Sequence, residues 1–279
     1  MVSTGVSRLP TDVTRRASAG AVRAEYVAAA DHTWPARIHE SGGLRLRHVK
    51  GTSCEAVLVN TAGGVVAGDT LALSFNLAAG ATLTATSAAA EKIYRSDGRE
   101  TEIRFDLTLA AAAKLIWLPQ ETILFDGSRI RRRFEVSLAE SATFVAAEMT
   151  VFGRLAHGER DPVGSLHDSW RIRRDGRLVF ADETRLEGAV GAVLDRGATA
   201  RGARATAVVL LVSPHAALAL DPVRESLSAL QGTAVEGGAS VRDGVLHARL
   251  VSRAPDQLRA ATIAVVQAVH DLAMPRSWA

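Results

Sequence analysis

Phe75-Asn-Leu77-Ala-Ala-Gly-Ala81-Thr-Leu83 is followed by Leu107-Thr-Leu109-Ala-Ala-Ala-Ala113-Lys-Leu115 and then by Val136-Ser-Leu138-Ala-Glu-Ser-Ala142-Thr-Phe144. Superposing Leu77, Leu109 and Leu138 takes shifts of 32 and 29 residues, after which small and large apolar positions coincide for about nine residues. In each copy apolar and polar residues alternate, a turn of small residues intervenes, and the alternation resumes. A period of two places one set of side chains on one face of a strand, so each copy predicts strand, tight corner, strand. Two strands alone are marginal in water, and units of like pattern are expected to stack over a shared interior. The fold expected is mainly β: a β-helical, solenoid-like body of stacked strands.

Working outward, Leu44-Arg-Leu46-Arg and Ala56-Val-Leu-Val59 read as strands separated by glycine-containing turns, and the sheet is expected to begin there. On the other side, Asp175-Gly176 and Asp243-Gly244 each stand between alternating segments, the strongest short hairpin signal. Two α-helices are expected in the C-terminal third. One has Asp221 as N-cap and Pro222 in the first turn and ends near Gly232; the other runs from Pro255 to about Leu272. Residues 1–20 show no apolar periodicity and read as a flexible tail, leaving 21–279 as one domain.

The 279 residues suffice for a substantial core, and 47% hydrophobic with 23% charged residues is ordinary globular composition. Arginine greatly outnumbers lysine and carries the pI to about 9.5. Arginine serves interface ion pairs as well as nucleic acid, so neither partner follows from charge alone, but the aromatics beside arginines lack the denser basic stripe usual in nucleic-acid modules and no nucleic acid is expected. The single cysteine, Cys54, excludes an internal disulfide framework and any multi-cysteine metal site. Without an apolar run of membrane-spanning length or the apolar core of a secretory signal, a cytoplasmic location is expected, with no membrane contact.

Four stretches bear on chemistry. Asn60 to Asp69 is glycine-rich but has neither the spacing nor the Lys-Ser/Thr of a phosphate loop; a tight corner needing positive φ at Gly63 or Gly64 fits better, with Asp69 as its cap or as a metal-seeking carboxylate. Glu148 to Glu159 brings His157 and Glu159 two residues apart, a nitrogen and oxygen pair suited to a borderline divalent ion, although a polar turn with solvated charges accounts for them equally. His167-Asp168 and Asp182-Glu183 add imidazole and carboxylates. No serine stands in a nucleophile elbow, so a hydrolase triad is not expected. Glu91 to Ser96 and Trp117 to Asp126 complete the second halves of the first two repeats.

Gly63-Gly-Val-Val-Ala-Gly68-Asp69, Glu91-Lys-Ile-Tyr94-Arg95-Ser96, Trp117-Leu-Pro119-Gln120-Glu121-Thr-Ile-Leu-Phe125 and Gly153-Arg154-Leu-Ala-His157-Gly158-Glu159 resemble, in this order, the blocks of the urease accessory protein family UreD, also called UreH. Pro275-Arg276-Ser-Trp278 is similar to the family's ending, and the likeness covers roughly residues 22–279. The resemblance implies a β-helical body with two helices and no catalytic activity of its own. It implies a scaffold for urease maturation that binds UreF and, through it, the GTPase UreG, docks on apo-urease, and forms a 2:2 complex with UreF. It further implies that GTP hydrolysis by UreG releases Ni²⁺, which would pass transiently through UreF and UreD. A tight four-ligand site would trap the ion, so sparse oxygen and nitrogen ligands are expected: Asp69, Glu148 and Asp182 first, then His157 and Glu159, with Arg154 an ion-pair partner fixing its turn. The alternative readings are a β-solenoid protein-binding module unrelated to nickel and a β-helical hydrolase or lyase using clustered carboxylates.

Overall fold

A computed structural model describes residues 17–30, 32–51, 53–269 and 274–278. Strands β1 (Ala19–Ala29), β2 (His32–Ser41), β3 (Leu44–Val49) and β4 (Glu55–Asn60) precede the repeats. The repeats supply β5 (Thr70–Leu77), β6 (Thr82–Ser87), β7 (Glu91–Ile93), β8 (Thr101–Leu109), β9 (Lys114–Leu118), β10 (Thr122–Leu124), β11 (Arg129–Leu138) and β12 (Thr143–Phe152). There follow β13 (Val163–Arg174), β14 (Arg177–Ala189), helix α1 (Val190–Leu194), β15 (Ala205–Val212), α2 (Leu220–Ser228), β16 (Val235–Arg242), β17 (Val245–Ser252) and α3 (Pro255–Val269).

The repeat is the architecture. Each copy places its first strand in one sheet and its second in the other, so β5, β8 and β11 are parallel neighbours, as are β6, β9 and β12. The sequence superposition is the stacking register: Leu109 pairs with both Leu77 and Leu138, and Leu115 pairs with both Leu83 and Phe144. The corners stack too, Ala110 N–H bonding to Leu77 O and Ala139 N–H to Leu109 O. Along the interior this register aligns Phe105, Phe134 and Trp170, whose rings stack with centroids 4.1 and 3.7 Å apart.

Each parallel stack is flanked by antiparallel strands. The first sheet runs β14-β13-β11-β8-β5-β1-β2; the second runs β16-β17-β15-β12-β9-β6-β4-β3, with β7 and β10 as short additions. Around β12, β15 and β17 the second sheet is covered on both faces. Its inner face joins the solenoid core, while Val145, Ala147 and Met149 of β12 face α3 through Val265 and Val266. Hence β12 is buried along almost its whole length, and any polar residue on its inner face is buried by construction.

Both Asp-Gly hairpins form with positive φ at both turn residues, the geometry of a type I′ turn. The sheet begins earlier than expected, at Ala19, because Val22, Ala24 and Tyr26 alternate inward as β1 pairs with β5. Of the expected 1–20 tail, residues 1–16 lie outside the described residues. Helix α2 starts at Leu220 with Ala219 at its N-cap, which places Asp221 inside the first turn rather than at the cap. A five-residue helix, α1, was not legible, and the expected end of α3 at Leu272 lies outside the described residues. No helix among the described residues is long and apolar enough to cross a membrane.

Candidate functional site

The inward phase of the solenoid strands is mostly apolar, and charged side chains interrupt it on β11, β12 and β13. On β11, Ile130 and Phe134 point inward with Arg132 between them, 4% exposed. On β13, Asp168 lies between inward Leu166 and Trp170, and it is the register partner of Arg132. On β12, Glu148 lies in the same phase as Ala146 and Phe152. Three ionisable side chains thus meet inside the body.

Arg132 holds Asp168 through two hydrogen bonds, Nε to Oδ1 at 3.1 Å and Nη2 to Oδ2 at 2.6 Å. Its Nη1 donates to Glu148 Oε2 at 2.6 Å and to the Thr122 hydroxyl at 3.2 Å. The other oxygen of Glu148 accepts from Trp117 Nε1 at 2.6 Å. Burial pushes the Glu148 carboxyl above the ordinary range, opposed by Arg132 and Trp117. Burial pulls the Arg132 guanidinium down, but Asp168 and Glu148 more than offset it, so its pKa rises. A guanidinium remains charged throughout the physiological range, so two carboxyl groups and one cation share this largely buried site.

Two cavities adjoin the cluster, and Glu148 lines both. One, of about 190 Å³, has Arg132, Asp168 and Thr150 in its walls and reaches Asp182 and Arg249. Asp182 and Arg249 form an ion pair whose side chains are 21% and 48% exposed, so this end approaches solvent. The other cavity, of about 130 Å³, runs from Glu148 past Thr122 and Gln120 to Asn60 and Glu91. Asn60 Nδ2 donates to both oxygens of Glu91, at 3.0 and 3.2 Å, yet burial pushes that carboxyl up to about 7. The wall of the second cavity is braced from outside by Pro275–Trp278. There Ser277 O accepts from Gln120 Nε2 at 2.8 Å, and buried Trp278 donates from its indole to Leu118 O at 2.7 Å.

Of the residues singled out from sequence, Glu148 and Asp182 are brought to one cavity. Asp69 lines neither: it is 1% exposed and caps the corner as the sequence allowed, accepting from Val66 N at 2.9 Å and from Ser18 N at 2.7 Å. Gly63 and Gly64 have the positive φ this corner needs. His157 ends a 3₁₀ turn, Leu155–His157, and is exposed, so it shares no strand face with Glu159. Glu159 is occupied by the Arg154 side chain and by the amides of Arg154 and Asp126, and the Arg154 side chain foremost holds its carboxyl down to about 2. Arg154 fixes its turn as read from sequence. Arg132, Asp168 and Glu91 were missed as members of the site, although a charged residue in the inward phase of an alternating strand was a signal for the first two. Among the described residues no three of His, Cys, Asp and Glu converge as a metal-holding group.

Comparison with known proteins gives the context. Residues 18–279 match the sequence model of the UreD urease accessory protein family. The chain is 48% identical over 240 residues to urease accessory protein UreD 1 of Methylobacterium radiotolerans, covering 86% of this chain and 83% of that one. To urease accessory protein UreD of Xanthobacter autotrophicus it is 44% identical over 266 residues, 95% of this chain and 91% of that one. To its namesake from Azorhizobium caulinodans it is 41% identical over 267 residues, 95% and 97% of the two chains. A match of this extent, on a stacked β body of the kind the sequence blocks implied, means that the chain belongs to the UreD family of urease accessory proteins.

Proposed function

We propose that this protein is a non-catalytic scaffold of urease maturation and that its interior is a conduit for Ni²⁺. In this reading it binds UreF, and through it the GTPase UreG, as a 2:2 complex with UreF in the cytoplasm, and presents the ion to apo-urease. Family membership supports the maturation role. The observation that carries the conduit is that two cavities meet at one buried carboxylate, Glu148, with a further carboxylate toward each far end, Glu91 and Asp182. Oxygen ligands spaced along a passage bind a hydrated divalent ion weakly enough to release it, whereas converging ligands would retain it. Asp69, His157 and Glu159 serve turns at other places in the fold and are not assigned to the path.

The test is reconstitution. Apo-urease, UreF, UreG, GTP and Ni²⁺ are combined with and without this chain, and activation unaffected by its omission sinks the maturation role. Glu148→Gln and Asp182→Asn are expected to lower activation severalfold while binding UreF as the parent does. Full activation by both variants refutes the conduit and leaves the scaffold standing.

A further inference from the structure

We infer that Arg132 is the gate between the two cavities: its guanidinium occupies the cation position on Glu148 and Asp168, and an ion crosses only by displacing it. The inference rests on the conduit reading above. Thr122 belongs to one cavity and Asp168 to the other, and Arg132 bonds to both as well as to Glu148, which they share. Glu148 lines both spaces, and the Arg132 guanidinium, which lines the first and bonds to Thr122 of the second, stands against it at their junction.

The local charge explains why such a wall opens for one class of traveller. With Arg132 in place the cluster carries one net negative charge, from two carboxylates and one guanidinium. An anion meets carboxylates and is repelled. A monovalent cation offers nothing the guanidinium lacks. A divalent cation brings twice the charge to the same two carboxylates in a site of low dielectric, where Coulomb attraction is strongest. The exchange is cation for cation, with no covalent change: carboxylate oxygens of Glu148 and Asp168 pass from guanidinium N–H groups to the ion. The freed side chain swings toward the cavity of about 190 Å³ that it already lines. Its return expels the ion, because one buried pair of carboxylates does not hold both. Trp117 and the pairing of β12 with β15, Glu148 opposite Val208, keep Glu148 in place throughout.

Metal binding by the isolated full chain tests this without any partner. Ni²⁺ affinity is measured by equilibrium dialysis, and melting temperature with and without Ni²⁺, for the parent, Arg132→Lys, Arg132→Gln and the double variant Arg132→Gln/Glu148→Gln. The gate predicts that Arg132→Gln binds Ni²⁺ at least tenfold more tightly than the parent and is stabilised by it. The gain is lost in the double variant, and Arg132→Lys, still cationic, stays near the parent. A folded Arg132→Gln that binds no more tightly than the parent overturns the inference. Should Arg132→Gln be unfolded without metal, Ni²⁺ must restore its cooperative melting, and failure to do so also overturns it. The two readings separate cleanly. Tight binding by Arg132→Gln alongside full urease activation by Glu148→Gln and Asp182→Asn refutes the conduit and upholds the guanidinium as the occupant of a cation position; parental binding by Arg132→Gln beside impaired activation by those two variants refutes only the gate.

Discussion

Glu91 has the Asn60 amide as its side-chain partner and forms no ion pair among the described residues, and burial, opposed by Asn60 and Lys92, carries its carboxyl to about 7. A carboxyl that holds its proton more tightly when folded favours folding at low pH. That contribution is complete below about 4.5, the unfolded value, and is lost as pH rises through about 7. Glu91→Gln mimics the protonated form, so its melting temperature is expected to match the parent below pH 4.5, to exceed it increasingly up to about pH 7, and to keep a constant lead above that, as read by a pH series of thermal melts. Asp69 is different in kind. Asp69→Ala removes the buried acceptor of the Val66 and Ser18 amides at this half-buried corner, and a loss of about 1–3 kcal/mol in urea unfolding is expected. At this scale the sequence was legible wherever a turn dictated the residue, as at Gly63 and Asp69. Arg132 was harder: Arg131, Arg132 and Arg133 look alike in the chain, and only the phase set by Ile130 and Phe134 marks the middle one as interior.

Between elements, the three corners close on the same alanine-to-alanine hydrogen bond, but only the first two adopt a left-handed residue before the closing alanine; Ser141 of the third does not. The first uses Gly80 at φ 72°, and the second has Ala112 at φ 56°, a left-handed conformation that costs an alanine what it does not cost a glycine. Ala112→Gly is therefore expected to raise stability by about 1 kcal/mol in chemical denaturation. The segment Pro275–Trp278 acts in the opposite sense. Trp278 is buried against the helix-side core, with Arg259 over its ring, and Trp278→Ala is expected to cost about 3–5 kcal/mol. The repeat strands, their small-residue corners and both Asp-Gly hairpins could be read in advance because local pattern and tertiary register demand the same residues, whereas β1 was not read. Helix α1 could not: five residues, Val190-Gly-Ala-Val-Leu194, carry too little periodicity to separate a turn of helix from the end of β14.

Over the whole molecule, what resisted reading was the meeting of distant segments. Glu148, Arg132 and Asp168 come from three different strands, and Asp182 and Arg249 from two more. No spacing in the chain announces such a cluster, because parallel strands about thirty residues apart bring residues together by register rather than by proximity. The same geometry has a consequence at the two ends of the stack. In the first sheet, β2 and β14 run antiparallel to the parallel strands they cover; in the second, β3 and β15 do the same. A solenoid left open at its last coil presents a template on which a second molecule can continue the winding, and a chain of such additions is a fibre. These reversed strands act as terminators: they make a periodic body finite, so that a polymerisable motif yields a particle of fixed length.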